Sequence, residues 1–235
     1  MLIPLFILVL LFYINANKFN NCEISVQFLL SLDLDDNLYI SVIVVSPNSK
    51  RVPSLLNAWG YEFISKRKNM FKIFSPFNDD SNSTYWKFVN ISDKNIAYYK
   101  LAFYCNFESA HDFYENTDLK WYLRTTYDCF IHLQNLYGFI QKLNDQYDPT
   151  QDIVFKGDYT GSFIHGGPGW IMSRAAVHEY LKMEDEMTIE YKKYFYGDDV
   201  NILMFTEKFN LTFDHIYAPE FVGWPVKDSS YNSLI

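Results

Sequence analysis

"LYISVIVV", Leu38 to Val45, decides the class of fold. A strand with one wet face alternates apolar and polar residues, whereas this run is apolar and β-branched almost without interruption. That is the pattern of a parallel strand buried on both faces. Ser46-Pro47-Asn48-Ser49 breaks it, and Val52 to Trp59 reads as a helix. Further out, Asn78 to Thr84 is a polar surface loop and Ile96 to Phe107 has helical periodicity. Trp121 to Leu123 reads as a strand and Leu133 to Leu143 as a helix, closed by the turn signals Asn144-Asp145 and Asp148-Pro149. Ile153-Val154-Phe155 is strand-like; a glycine loop follows, then a helix with Ser173 as its N-cap. Strands alternating with helices predict an α/β fold, a mostly parallel central sheet flanked by helices on both faces. Its ligand belongs at the carboxyl ends of the strands. No repeat or linker interrupts the chain, which predicts one domain over residues 17–235.

The bulk numbers narrow the partners. With 235 residues, 49% hydrophobic and 20% charged, the chain has material for a real core. A net charge of −8 argues against nucleic acid, whose phosphates call for a basic footprint. Aromatic residues make up 19% of the chain, and aromatic faces do stack on sugars. Phe, Tyr, Asn and Ile are all abundant, so a composition bias explains the same number.

Met1 to Ile14 is almost continuously apolar. As a helix at ~1.5 Å per residue it reaches roughly 20 Å, short of the ~30 Å hydrocarbon core. Residues 1–16 therefore read as a signal peptide, with Ala16 at the cleavage edge, or as a short signal-anchor. Both send the rest of the chain into the secretory pathway. Cys22, Cys105 and Cys129 would sit in an oxidising lumen, and Cys105 with Cys129 is the pair to test. Asn82, Asn90 and Asn210 begin Asn-X-Ser/Thr glycosylation acceptors. In a chain this rich in Asn such triplets also arise by chance.

Three stretches carry the candidate chemistry, in this order: "WYLRTTYDCFIHLQNL" from Trp121, "HGGPGWIMSR" from His165 and "YGDDVNI" from Tyr196. Sugar transfer from a nucleotide leaves negative charge on the β-phosphate, and a divalent cation held by hard oxygens stabilises it. Asp128, just beyond a buried strand, is placed to hold such an ion, or is an ordinary loop aspartate making a turn bond. Asp33, Asp35 and Asp36 form a denser acidic run, but no β-α-β layer precedes them, so they read as a solvated loop. Gly166, Gly167 and Gly169 permit close backbone approach to a ligand, or simply make a tight turn. Trp170 and Met172 after them read as core. Asp198-Asp199 opens an apolar run. The pair is a helix N-cap, or Asp199 is a base for an acceptor hydroxyl while Asp198 caps. His215 is a structural histidine or a late metal ligand.

At these residues the chain resembles the Fringe-like and core 1 β1,3-galactosyltransferase branch of the β1,3-glycosyltransferases (family 31). The family's Trp-aromatic-X-X-X-Asp-Asp-Asp-X-Tyr-Val segment corresponds to Trp121 through Ile131. Its Gly-Gly-Ala-Gly-aromatic-X-X-Ser segment corresponds to Gly166 through Ser173, and its Glu/Asp-Asp-Val/Leu to Asp198-Asp199-Val200. Trp59 is similar to the family's early Trp. The resemblance spans roughly Leu38 to His215. It implies a GT-A fold and an inverting, β1,3-type transfer of a hexose or N-acetylhexosamine from a UDP-sugar. It also implies a glycan or glycoprotein acceptor, Mn2+ or another divalent cation, and a Golgi or ER lumen location behind a type II anchor or a cleaved leader. Asp128 and His215 would contact the metal and Asp199 would be the base. Trp59, Trp121, Trp170, Asp198 and the three glycines would line the donor and acceptor sites.

The chain departs from that pattern where charge matters most. Thr126 and Tyr127 stand in place of the first two acidic residues, Pro168 in place of Ala, and Leu203 in place of a frequent Gly. Fewer carboxylates mean weaker cation binding. The same loss marks the non-catalytic chaperone of the core 1 galactosyltransferase. A catalytically inactive relative, acting as chaperone or glycan-binding partner, is therefore the alternative expectation.

Overall fold

β1, Leu38–Ile43, is buried along its whole length in the computed structural model, which describes residues 37–46, 50–66, 70–77, 83–91, 98–194 and 197–221. The leader at 1–16, Cys22, the acids at 33, 35 and 36, and Asn82 fall outside those residues, as does most of the loop from Asn78. The described residues from Asn37 onward belong to one compact unit.

β1 takes a parallel partner on each side, β2 (Phe71–Ser75) and β4 (Trp121–Thr126), with Ile40 between Phe71 and Leu123. That double pairing is why its sequence does not alternate. β3 (Trp86–Phe88) closes one edge in parallel with β2. Beyond β4 lie β6 (Trp170–Ser173) and β5 (Phe155–Gly157), giving the order β3-β2-β1-β4-β6-β5. β6 runs antiparallel to both neighbours, so the sheet is mostly parallel but mixed. A parallel return needs a crossover of a dozen or more residues, usually a helix. The segment between β5 and β6 instead folds back on itself, Tyr159 opposite Ile164, and delivers β6 antiparallel.

Eight α-helices are described, and a 3-10 turn, Tyr98–Leu101, leads into the third. α1 (Arg51–Leu55) runs through a π-helical turn, Leu56–Gly60, into α2 (Tyr61–Lys66). The long α3 is Ala102–Asn116, and α4 is Leu133–Gln146, capped by the His132 ring. α5 (Arg174–Leu181) starts at Ser173, whose hydroxyl accepts from the Ala176 N–H at 3.1 Å, as the sequence predicts. α6 (Glu184–Tyr194), α7 (Asp198–Lys208) and α8 (Phe213–Ile216) complete the set. No helix among the described residues is long and apolar enough to cross a membrane.

Strand alternation distributes the helices over both faces. Phe71 on one face meets Trp59 and Phe63 of the 51–66 helix, and Trp121 donates to Asn144 of α4 at 2.8 Å. The opposite face is covered by α3, which meets the sheet through polar groups at every third position. Asn106 accepts from Arg124 Nε at 2.8 Å, and Ser109 bonds the Tyr122 hydroxyl at 2.5 Å. Asp112 accepts from the Tyr39 hydroxyl at 2.5 Å and from Lys72 Nζ at 2.7 Å. Burial pushes the Asp112 carboxyl up, but the bonds from Lys72 and Tyr39 outweigh it and hold it below the ordinary value. Each of these α3 groups thus has a partner, as a low-dielectric interior demands; among the described residues the buried Ser41 hydroxyl on β1 is the exception.

Candidate functional site

The chain lays down β1, β2 and β3 in one direction, then crosses back to place β4 on the far side of β1. The strand order therefore reverses between β1 and β4, and the crevice beyond their carboxyl ends is where open α/β sheets bind ligands. Because β6 is antiparallel, it brings the loop before it to this same edge. β5 is parallel to β4 and ends there too.

The end of β4 grips the glycine loop through three consecutive carbonyls. Arg124 Nη1 donates to Gly166 O, and Thr126 Oγ1 approaches Gly167 O at 2.9 Å, as does Cys129 Sγ at 2.6 Å. Thr125 Oγ1 reaches Pro168 O at 3.5 Å. The three glycines are not equivalent. Gly169 has φ +89, and a Cβ there would lie 1.9 Å from Arg124 O, so only glycine fits. A Cβ on Gly166 would make ordinary contact with Asp199 at 3.4 Å, and one on Gly167 would meet nothing within 4 Å.

Beneath the loop sits a buried ion pair that the sequence reading missed. Arg124 is 1% exposed, and its Nη2 donates to Asp198, which also accepts from Asn106 Nδ2 at 2.8 Å. The guanidinium lies 4.5 Å from the Trp170 ring. This network ties β4, α3, the glycine loop and the start of α7 into one unit. It also corrects the reading of Asp198. Gly197 is the N-cap of α7, with no side-chain bond, and Asp198 is the counter-ion of Arg124.

Asp199 follows in the first turn of α7. Its Oδ1 accepts from the Val200 N–H at 2.9 Å, and it packs beside Gly166. Burial first, and the charge of Asp198 second, raise its carboxyl above the ordinary value. Next to it in the loop, His165 is buried and its Nδ1 lies 2.5 Å from Asp158 Oδ2 at the end of β5. A histidine directly before a Gly-Gly pair was the available signal for this carboxylate–imidazole contact.

Asp128 lies at the other end of the crevice, two residues beyond β4. Its Oδ2 pairs with Arg51 Nη1 at 3.0 Å, and its Oδ1 accepts from Thr126 Oγ1 at 2.6 Å. Both oxygens are engaged by this chain's own donors. His215 is not beside it. That residue is exposed on α8, whose end pairs Tyr217 with Gly157 of β5, so β6 stands between. Among the described residues no group of three or more His, Cys, Asp and Glu is gathered where it could hold a metal. Magnesium-type ions at phosphate sites are commonly held by one or two carboxylates with waters and the substrate phosphates. Asp128 would have to exchange Arg51 for the ion to serve one.

The tryptophans expected to line the site are core residues. Trp59, Trp121 and Trp170 are each 2% exposed or less. Trp59 serves the site indirectly, donating to Cys129 O at 3.2 Å. The expected Cys105–Cys129 bridge is not made. Both cysteines are free, Cys105 buried in α3 and Cys129 turned to Gly167 O. Asn90 and Asn210 are exposed, as glycosylation acceptors must be.

Neither a family model nor a curated protein sequence matches this chain.

Proposed function

We propose that this protein is an inverting glycosyltransferase of GT-A type. It would move a hexose or N-acetylhexosamine from a UDP-sugar to a hydroxyl of a glycan or glycoprotein acceptor in the secretory pathway. The observation that carries the reading is Asp199, fixed beside the glycine loop at the carboxyl edge of the sheet with its carboxyl raised by burial and Asp198. Arg124 supports it from below by holding that loop and the start of α7 together. The diphosphate would lie in the crevice between β1 and β4, near Arg51 and Asp128. Asp199 Oδ2 takes the proton of the acceptor hydroxyl as the acceptor oxygen bonds to the anomeric carbon. The bond from that carbon to the β-phosphate oxygen breaks, and its electron pair leaves with UDP. Attack from the face opposite the leaving group inverts the centre. A base must be deprotonated to work, and this one has a raised pKa. The rate therefore falls with acid at a pH above the ordinary aspartate value.

Asp199→Asn tests the reading. Release of UDP from a panel of UDP-sugars should drop by about 100-fold or more, the usual span for a lost general base, while UDP affinity stays within about twofold. Equal turnover in the variant would remove Asp199 from the chemistry. The engaged Asp128 carboxylate favours a second reading, a catalytically silent relative acting as chaperone or glycan-binding partner. That protein would bind its client equally well with Asn at 199.

A further inference from the structure

The donor site proposed above leaves one charge without an obvious partner. A departing diphosphate develops negative charge that something must neutralise, and the single carboxylate at the corner is already bonded through both oxygens. Resting on that donor-site reading, we propose that Arg51 is the diphosphate ligand, doing by itself what a divalent cation would otherwise do. Asp128 is then not a metal ligand but the counter-ion that holds Arg51 over the crevice until the nucleotide arrives.

Four observations converge on this assignment. First, position: Arg51 begins the helix that follows β1, and Asp128 follows β4, so their bond spans the point where the strand order reverses. A ligand entering that crevice meets this pair. Second, availability: the Arg51 side chain is 67% exposed and a single nitrogen, Nη1, contacts Asp128. The rest of its planar fork suits two phosphate oxygens at once. Third, charge: Lys50 is exposed beside it in the chain, and a nucleoside diphosphate carries more negative charge than the one carboxylate it would displace. Exchanging one exposed anion for a more charged one costs little, because exposed ion pairs contribute little. Fourth, geometry: the Thr126 hydroxyl lies 2.6 Å from Asp128 Oδ1 and 2.9 Å from Gly167 O and can give its one proton to either, so the latch and the glycine loop share a donor. Displacing Arg51 from Asp128 leaves that carboxylate a hydrogen bond, so the exchange orphans no group.

The opposite behaviour of two substitutions sets this apart from a metal site. A metal reading makes Asp128 essential and Arg51 incidental. Here Arg51 is essential and Asp128 is inhibitory. Calorimetric titration of UDP into the full-length chain in detergent, once in EDTA and once in manganese, decides between them. Wild type should bind UDP equally in both conditions. Arg51→Ala should weaken binding about 10- to 100-fold, the span of a lost charge-assisted bond. Asp128→Asn should tighten it in EDTA about two- to fivefold, because it releases Arg51. Both side chains are exposed, and unchanged melting of each variant would confirm an intact fold. Binding that requires manganese and disappears in Asp128→Asn overturns the proposal while leaving the transferase reading in place. Unaltered affinity in Arg51→Ala also overturns it. No UDP binding to wild type in either condition overturns the donor site itself.

Discussion

Replacing Arg124 with Leu removes the centre of the buried network and gives the largest single effect expected in this fold. The guanidinium is 1% exposed and bonds Asn106, Gly166 O and Asp198 while lying over Trp170. Asp198 is itself 12% exposed, so losing its cation leaves a largely buried carboxylate with Asn106 as its remaining side-chain partner. Breaking a buried pair from one side costs about 3–5 kcal/mol. That is a large share of the 5–15 kcal/mol by which typical domains are stable. Asp198→Leu should cost about as much from the other side. The double variant removes both charges of this pair and should lose far less than the sum, about 1–3 kcal/mol for the Asn106 and Gly166 groups left unpaired. Part of that residue is the acidic group missing from the first turn of α7, roughly 0.3–1 kcal/mol. Equilibrium urea unfolding, followed by tryptophan fluorescence, measures all three. A single-variant loss below about 1 kcal/mol, the range of ordinary surface changes, would refute the reasoning. So would a double variant that simply adds.

Gly169→Ala should destabilise by about 3 kcal/mol or more, since a Cβ there meets the Arg124 carbonyl at 1.9 Å with φ at +89. Gly167→Ala should stay within about 0.5 kcal/mol; thermal melting of the two separates an obligatory glycine from an incidental one. Asp112 is held below its ordinary pKa by Lys72 and Tyr39, so its contribution is present above the unfolded value near 3.9 and is lost as pH falls through the lowered folded one. The urea midpoint of wild type should therefore fall with acid across that window more steeply than that of Asp112→Asn. Denaturing alkylation without reductant should label both Cys105 and Cys129, which are free. In the native protein Cys105 should react far more slowly, because burial encloses its thiol and raises its pKa. A peptide linking the two would contradict the fold around Gly167.

What could be read from sequence was what local pattern encodes. β1 announces itself because it is buried on both faces, and Ser173 because a cap is a one-residue signal. β2 was missed: Lys72 interrupts its apolar run, and the reason for a lysine there, Asp112, lies 40 residues away. β6 was hidden between a glycine loop and a cap, four residues with no room to alternate. The cap reading at Asp198 anticipated the helix that follows it, one residue off the observed N-cap at Gly197. The site divides the same way. Asp128 and the glycine loop were found from their position after strands, and Asp199 from the apolar run it opens; the fold brings them to one edge of the sheet. Their partners, Arg51 and Arg124, pair across 77 and 74 residues, and nothing local forecasts such contacts. One clue was present. An arginine inside "WYLRTT" had to be either exposed or paired, since Arg is almost never buried alone.

Hydrogen–deuterium exchange of the full-length chain, with and without UDP, tests the central claim most directly, because it locates the ligand without assuming a sugar or an acceptor. The account predicts slowed exchange at the carboxyl edge of the sheet, in the segments around Arg51, Thr126 to Cys129, His165 to Gly169 and the start of α7 at Asp198. Protection confined to the opposite edge, near Arg174 and Asn116, or no protection at saturating UDP, would contradict it.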